Sequence, residues 1–155
     1  MKHRRQEAST SVPLKLGEFL CFSIYSASHA FNRVYQPLLR ELELTYPQFI
    51  AMVLLWGQDG QTVGELGERL FLQSNTLTPM LKRLEALGYI RRTRDSADER
   101  QVHINLTEAG RKLRLRASDI VRSVRNATGL QDKEVKELIE NVDSLRKALE
   151  SRNPR

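Results

Sequence analysis

Apolar side chains recur at spacings of three and four from Leu16 through Leu20, Ile24, Ala27, Phe31, Val34 and Leu38. That period lines one face of a helix, predicted over 15–42. Pro13 stands just before it. Thr45-Tyr-Pro reads as the cap and first turn of a second helix, running to about Gln58. Phe49, Ile50, Met52, Val53, Leu54, Leu55 and Trp56 make that helix apolar on most sides, which places it in a core. Asp59-Gly60 breaks the chain. Thr62-Val-Gly-Glu65 fits a capping box opening a helix over 63–70. Leu72-Gln-Ser74 then predicts a turn, with Ser74 capping a fourth helix over about 75–88.

That fourth helix turns Leu77, Leu81, Leu84 and Leu87 inward, carries Pro79 near its start, and stops at Gly88. Residues 89–94 and 101–106 alternate as half-buried strands, joined by a loop from Asp95 to Arg100. Thr107 caps a fifth helix to about Thr128, ended by Gly129. A sixth runs from about Asp132 to Leu149, with Val135, Leu138, Ile139, Val142, Leu145 and Leu149 on one face. The predicted fold is mainly α with a small β-wing: a winged helix-turn-helix flanked by N- and C-terminal dimerisation helices. The expected boundaries are an N-terminal arm over 1–13 and one domain over 14–155. Within it the winged helix spans about 46–107, between dimerisation helices at about 15–44 and 108–150. The terminal stripes exceed what the central module covers, so a homodimer is expected.

Charge sharpens this picture. The 155 residues carry a formal +6. Residues 74–94 hold Lys82, Arg83, Arg91, Arg92 and Arg94 against one acid, Glu85. Ser74, Asn75, Thr76 and Thr78 lie on the exposed first turns of helix four, where short polar groups reach base edges and phosphate. Lys82 and Arg83 follow at backbone-gripping positions. Arg94 and Arg100 flank the hairpin loop, where an arginine enters a narrow minor groove, and Asp98 is placed to hold Arg100. Singly, these features are a helix cap and a solvated basic face. In helix-turn-helix-hairpin order they imply double-stranded DNA, read as a near-palindromic operator. Lys2, Arg4 and Arg5 on the arm are secondary phosphate contacts.

Other classes recede. The longest apolar run, Phe49 to Trp56, is too short to span a bilayer, so no membrane partner is expected. The first dozen residues lack the apolar stretch of a secretory signal. A single cysteine, Cys21, excludes an intrachain disulfide framework, and a reducing cytoplasm is the expected home. His3, His29 and His103 are isolated, and no metal, cofactor or phosphate-loop motif is present. No catalytic residue is assigned and no enzyme is expected.

Residues 46–107 resemble the multiple-antibiotic-resistance regulator (MarR) family of winged-helix repressors. The resemblance is carried by Thr62-Val-Gly-Glu-Leu66, Leu77-Thr-Pro-Met-Leu-Lys-Arg-Leu-Glu-Ala-Leu-Gly-Tyr-Ile90, Asp95-Ser-Ala-Asp-Glu-Arg100 and Leu106-Thr-Glu-Ala-Gly110. Leu20-Cys-Phe-Ser-Ile-Tyr25, Tyr35-Gln-Pro37 and Leu44-Thr-Tyr-Pro-Gln48 are similar to the organic hydroperoxide repressor (OhrR-type) subgroup in its one-cysteine form. The resemblance implies a repressor in which Cys21 is the redox sensor, hydrogen-bonded by Tyr25, Tyr35 and Tyr46. It also implies an organic hydroperoxide and a low-molecular-weight thiol as reactants. In the residues themselves, Tyr25 stands one turn from Cys21, and Phe19, Phe22 and Ile24 form an apolar collar. Phenol hydroxyls donating to sulfur favour the nucleophilic thiolate. Three alternatives stay open: a repressor released by a reversibly bound aromatic ligand between helices one, two and five, a thiol peroxidase, and a non-specific DNA coater.

Overall fold

A computed structural model describes residues 15–98 and 100–152 of the chain. The expected arm, with Pro13, Lys2, Arg4, Arg5 and His3, lies outside the described residues, as do Glu99 of the loop motif and residues 153–155. The helices α1 (Leu20–Arg40), α2 (Tyr46–Gly57), α3 (Val63–Leu70), α4 (Ser74–Ala86), α5 (Glu108–Ala127) and α6 (Asp132–Arg152) follow the predicted order. Strands β1 (Gln61–Thr62), β2 (Ile90–Arg94) and β3 (Val102–Leu106) form one antiparallel sheet in the order β1-β3-β2.

Side-chain caps start α2, α3 and α5 where the sequence places them. Gln48 Oε1 accepts the Thr45 N–H at 2.8 Å and opens α2. Thr62 and Glu65 make the reciprocal capping box of α3, with Thr62 N–H donating to Glu65 Oε2 at 2.7 Å and Glu65 N–H to Thr62 Oγ1 at 3.2 Å. Thr107 Oγ1 accepts the Gly110 N–H at 3.0 Å and donates to Gly88 O at 2.6 Å. It therefore caps α5 and ties it to the turn that leaves α4. Gly88 makes that turn at φ 76°, a conformation a side chain would strain. Replacing Thr107 by Ala removes both bonds, and thermal unfolding should show a loss of about 1–2 kcal/mol.

The first helix departs from its predicted bounds. Leu16–Glu18 form a single 3-10 turn, Phe19 is extended, and α1 begins at Leu20, not at 15. None of residues 16–18 is buried, so no packing sustains a continuous helix there. Cys21 is consequently the second residue of α1. The helix also stops at Arg40, and a turn swings Leu42 and Leu44 into the core. Two further corrections concern α4. Gln73, in extended conformation, is its N-cap, so Ser74 is the first helical residue and not the cap. Pro79 is the sixth residue of α4, one position deeper than expected, and denies the Asn75 carbonyl its helical partner. The strand β1 has no counterpart among the predicted elements.

The core is built on α2 and α4. Phe49, Met52 and Leu55 meet Leu77, Leu81 and Leu84, with Leu66 of α3 and Ile104 of β3, all essentially inaccessible. Each such side chain contributes about 1.5–3 kcal/mol on leaving water. Leu113, Ala117, Ile120 and Val124 seat α5 on this core. By contrast α6 buries no residue and exposes Leu138, Ile139, Val142 and Leu149. Leu20, Ile24, Phe31 and Val34 of α1 are exposed likewise. No described helix is long and apolar enough to cross a membrane.

Candidate functional site

In α4, Leu77, Leu81 and Leu84 are buried and leave the opposite side of the helix to solvent. Ser74, Asn75 and Thr76 are exposed on its first turn, and Thr78 is half-buried. With Gln73 as cap, the Ser74 hydroxyl makes no capping bond, while Thr76 Oγ1 donates to Asn75 Oδ1 at 3.3 Å. Lys82 and Arg83 are exposed further along. Arg83 and Thr78 line different surfaces. Arg83 lines a groove with Arg33 and Arg40 of α1, beside Thr45 at the start of α2. Thr78 instead shares a cleft of about 660 Å³ with Thr62, Gly64 and Arg100, between α3, α4 and the wing.

Arg92 of β2 also enters that cleft, and residue-type reasoning did not single it out. Its backbone N–H donates to Glu85 Oε1 at 2.9 Å, while its side-chain Nε is buried with no hydrogen-bond partner among the described residues. The strand period is the signal that could have found it. Arg91 and Thr93 point one way and Arg92 the other, toward α4.

The wing is a two-stranded ribbon in which Arg94 pairs with Val102 and Arg92 with Ile104. Asp95 shapes its loop. Asp95 Oδ1 accepts the N–H groups of Ala97 at 2.7 Å and Asp98 at 3.1 Å, and its N–H donates to Gln101 O at 3.0 Å. Those backbone donors hold the Asp95 carboxyl below the usual carboxylate range, with His103 adding to the effect. Asp98 Oδ1 accepts from Arg100 Nε at 3.3 Å, in the pose the sequence suggests. The Arg100 side chain is otherwise 93% exposed, and Arg94 is exposed beside it.

The second cluster lies on α1. Cys21 is exposed, and its Sγ takes part in no hydrogen bond among the described residues. Tyr25, one turn on, is 60% exposed and packs edge-on against His29 at 4.3 Å between ring centres. The Tyr35 and Tyr46 rings pack at a tilt with their centres 4.8 Å apart, and Tyr35 packs on Phe49 at 5.8 Å. Burial raises both of their phenol pKa values, and for Tyr35 the neighbouring Tyr46 adds to the rise. Within one chain, then, Tyr25 alone stands a single turn from Cys21, and no tyrosine hydroxyl bonds its sulfur among the described residues. Tyr35 is about 21 Å further along the axis of α1, which no side chain bridges. The open apolar groove, about 590 Å³, lies between α1, α5 and α6, not between helices one, two and five, and Tyr35, Phe31 and Val142 are among its walls. Among the described residues no group of His, Cys, Asp and Glu is arranged to hold a metal ion.

Residues 33–116 match the family model described as the transcriptional regulator SarA/Rot. The chain belongs to this winged-helix family of MarR/SarA-type transcriptional regulators. It is 48% identical over 140 residues to the HTH-type transcriptional regulator TtmR of Methylorubrum extorquens, covering 90% of this chain and 72% of that one. It is 41% identical over 140 residues to the organic hydroperoxide resistance transcriptional regulator of Bacillus subtilis, covering 90% and 95% of the two chains. Among solved structures, reduced AbfR bound to DNA superposes with a TM-score of 0.70 at 36% identity, over 84% of this chain and 90% of that one. The regulator is accordingly a DNA-binding protein, and its family is one of transcription factors and not of enzymes.

Proposed function

We propose that this regulator is a homodimeric repressor that loses its operator when an organic hydroperoxide oxidises Cys21. The observation that carries the reading is an accessible thiol in the first turn of α1, on a helix whose apolar Leu20, Ile24, Phe31 and Val34 the described residues leave exposed. The 41% identity with a relative named for organic hydroperoxide resistance adds to it. A second copy covering α1, α5 and α6 brings another chain's Tyr35 and Tyr46 to within reach of Cys21, which the helix length forbids inside one chain. In this reading the sensor exists only in the dimer, with Tyr25 supplied in cis. The apolar side chains Phe19, Phe22 and Ile24 favour an alkyl hydroperoxide over hydrogen peroxide.

The chemistry balances without a metal. The Cys21 thiolate attacks the terminal peroxide oxygen, the O–O bond breaks, and the leaving alkoxide takes up a proton to become an alcohol. Sulfur is oxidised to the sulfenic acid and the hydroperoxide is reduced. A low-molecular-weight thiol then condenses with the sulfenic acid, releasing water and leaving a mixed disulfide. That bulky adduct no longer fits between the subunits. The two α4 helices, with Ser74, Asn75, Thr76, Thr78 and Lys82 facing DNA and Arg83 gripping backbone, lose their one-turn spacing. Arg94 and Arg100 leave the adjacent groove with them.

The test is release of a bound duplex, obtained by selection from a random-sequence pool against the reduced protein. Cumene hydroperoxide with a small thiol should release it, with an adduct at Cys21 by mass spectrometry. Release by an aromatic acid with Cys21 unmodified would instead establish the apolar groove between α1, α5 and α6 as a reversible ligand site.

A further inference from the structure

His103 is the one histidine of the described chain whose two ring nitrogens both have partners. Nδ1 lies 3.0 Å from Gly60 O, and Nε2 lies 2.9 Å from Asp95 Oδ2. A carbonyl oxygen and a carboxylate only accept, so the two contacts are satisfied together only when the ring is protonated and both nitrogens donate. We propose that His103 is a positioning residue for the DNA-reading wing: the charged ring clamps Asp95 to the turn at Gly60, and DNA affinity falls when the ring loses its proton. This rests on the reading of the wing as a DNA contact and names what regulates that contact.

The line of bonds from the ring to the loop is continuous. The Asp95 carboxylate bonds His103 through Oδ2 and the N–H groups of Ala97 and Asp98 through Oδ1. Asp98 then holds Arg100 through both its backbone N–H, at 3.1 Å, and its Nε, at 3.3 Å. A neutral imidazole has one N–H. It must turn a lone pair on either Gly60 O or the Asp95 carboxylate, and one of the two contacts becomes repulsive. The base of the loop then separates from the body of the domain, and Arg100 loses its fixed pose.

The charged surroundings favour the proton. Asp95 faces the ring from the loop and Glu65 from α3, where Arg69 also interacts with Glu65. The residues paired with His103 across the sheet, Thr62 of β1 and Thr93 of β2, do not titrate. Acceptance by the Gly60 carbonyl, then by Asp95, raises the His103 pKa above its ordinary value. The sign follows. A group whose pKa is raised in the folded protein holds its proton at acid pH, below its ordinary value, so the clamp is whole there. It is lost as pH rises through the raised value.

The experiment titrates the full-length reduced protein. The imidazole NMR signals of His103 should titrate above the ordinary value of about 6.5. Affinity for the selected duplex, measured from about pH 5 to about pH 8, should fall by about tenfold across that titration. His103→Gln should bind about tenfold more weakly at acid pH and lose the pH dependence. Asp95→Asn keeps an oxygen for the loop turn but removes the charge on the ring, and should move the His103 titration down together with the affinity profile. If Arg100→Ala binds as tightly as the native protein, the wing is no DNA contact, and this inference falls with that reading. If Arg100→Ala weakens binding but the pH profile survives His103→Gln, or His103 titrates at or below 6.5, the wing reading stands and the clamp is refuted.

Discussion

Cys21→Ser leaves DNA binding at the level of the native protein and abolishes release by cumene hydroperoxide. The expectation is sharp because the position is exposed and sits in the first turn of α1, where Ser is accommodated without repacking. A hydroxyl is nevertheless inert toward an O–O bond under conditions where a thiolate reacts. The difference between the two proteins is large. Moving an operator from nearly full to nearly empty occupancy requires affinity to fall about 10⁴-fold on oxidation, about 5.5 kcal/mol. The serine variant forgoes all of it. Release of Cys21→Ser by hydroperoxide, at the rate of the native protein, would falsify the sensor assignment. A Tyr35→Phe or Tyr46→Phe dimer tests the shared site separately, since each should slow oxidation without altering DNA affinity.

Gly110→Ala should be the most destabilising single substitution at an apparently harmless position. A Cβ at Gly110 would stand 2.0 Å from the Tyr89 carbonyl oxygen and 3.0 Å from its carbon, both backbone atoms that no rotamer change can move. The same Tyr89 oxygen accepts the Thr107 N–H at 3.1 Å, and the Gly110 oxygen accepts the Trp56 indole N–H at 2.8 Å. The first turn of α5, the start of β2 and the end of α2 meet there with no space to spare. The loss should reach or exceed the upper end of the overpacking range, about 1–3 kcal/mol. For a chain of this size that lowers the melting temperature by about 2–4 °C per kcal/mol. A melting temperature equal to that of the native protein would show that α5 can back away from the wing, and with it that the two are not rigidly joined.

The elements that proved legible share a property: their signal is local. The 3.6-residue stripe of Leu77, Leu81 and Leu84 marks the inner face of α4 whatever packs on it. The caps at Thr62 and Thr107 need only residues three positions away. The Asp98–Arg100 pair is two residues apart, and the loop between the strands holds it. Where the reading stopped short, the missing information lay elsewhere in the chain. Two residues of β1 carry no alternation, and become a strand only because β3 offers Ile104 and His103 to pair with. The isolated His103 gains an acceptor at each ring nitrogen because Gly60 approaches it from one side and Asp95 from the other. Phe71 adopts the left-handed conformation, φ 57°, with the Arg146 guanidinium 4.6 Å above its ring, an arrangement no propensity at position 71 suggests.

Order of elements, helix faces, the polar first turn of α4 and the kind of partner it suits were all settled by short-range pattern, since burial periodicity and capping act over a few residues. Three things waited on the folded chain. Packing chose where α1 begins, and so put Cys21 in its opening turn. Helical rise carried Tyr35 and Tyr46 out of reach of that sulfur, which moves any shared sensor to the contact between two copies. Proximity in space gave His103 an acceptor at each ring nitrogen. Each depends on distances between residues far apart in the chain, and a one-dimensional pattern contains no such distances.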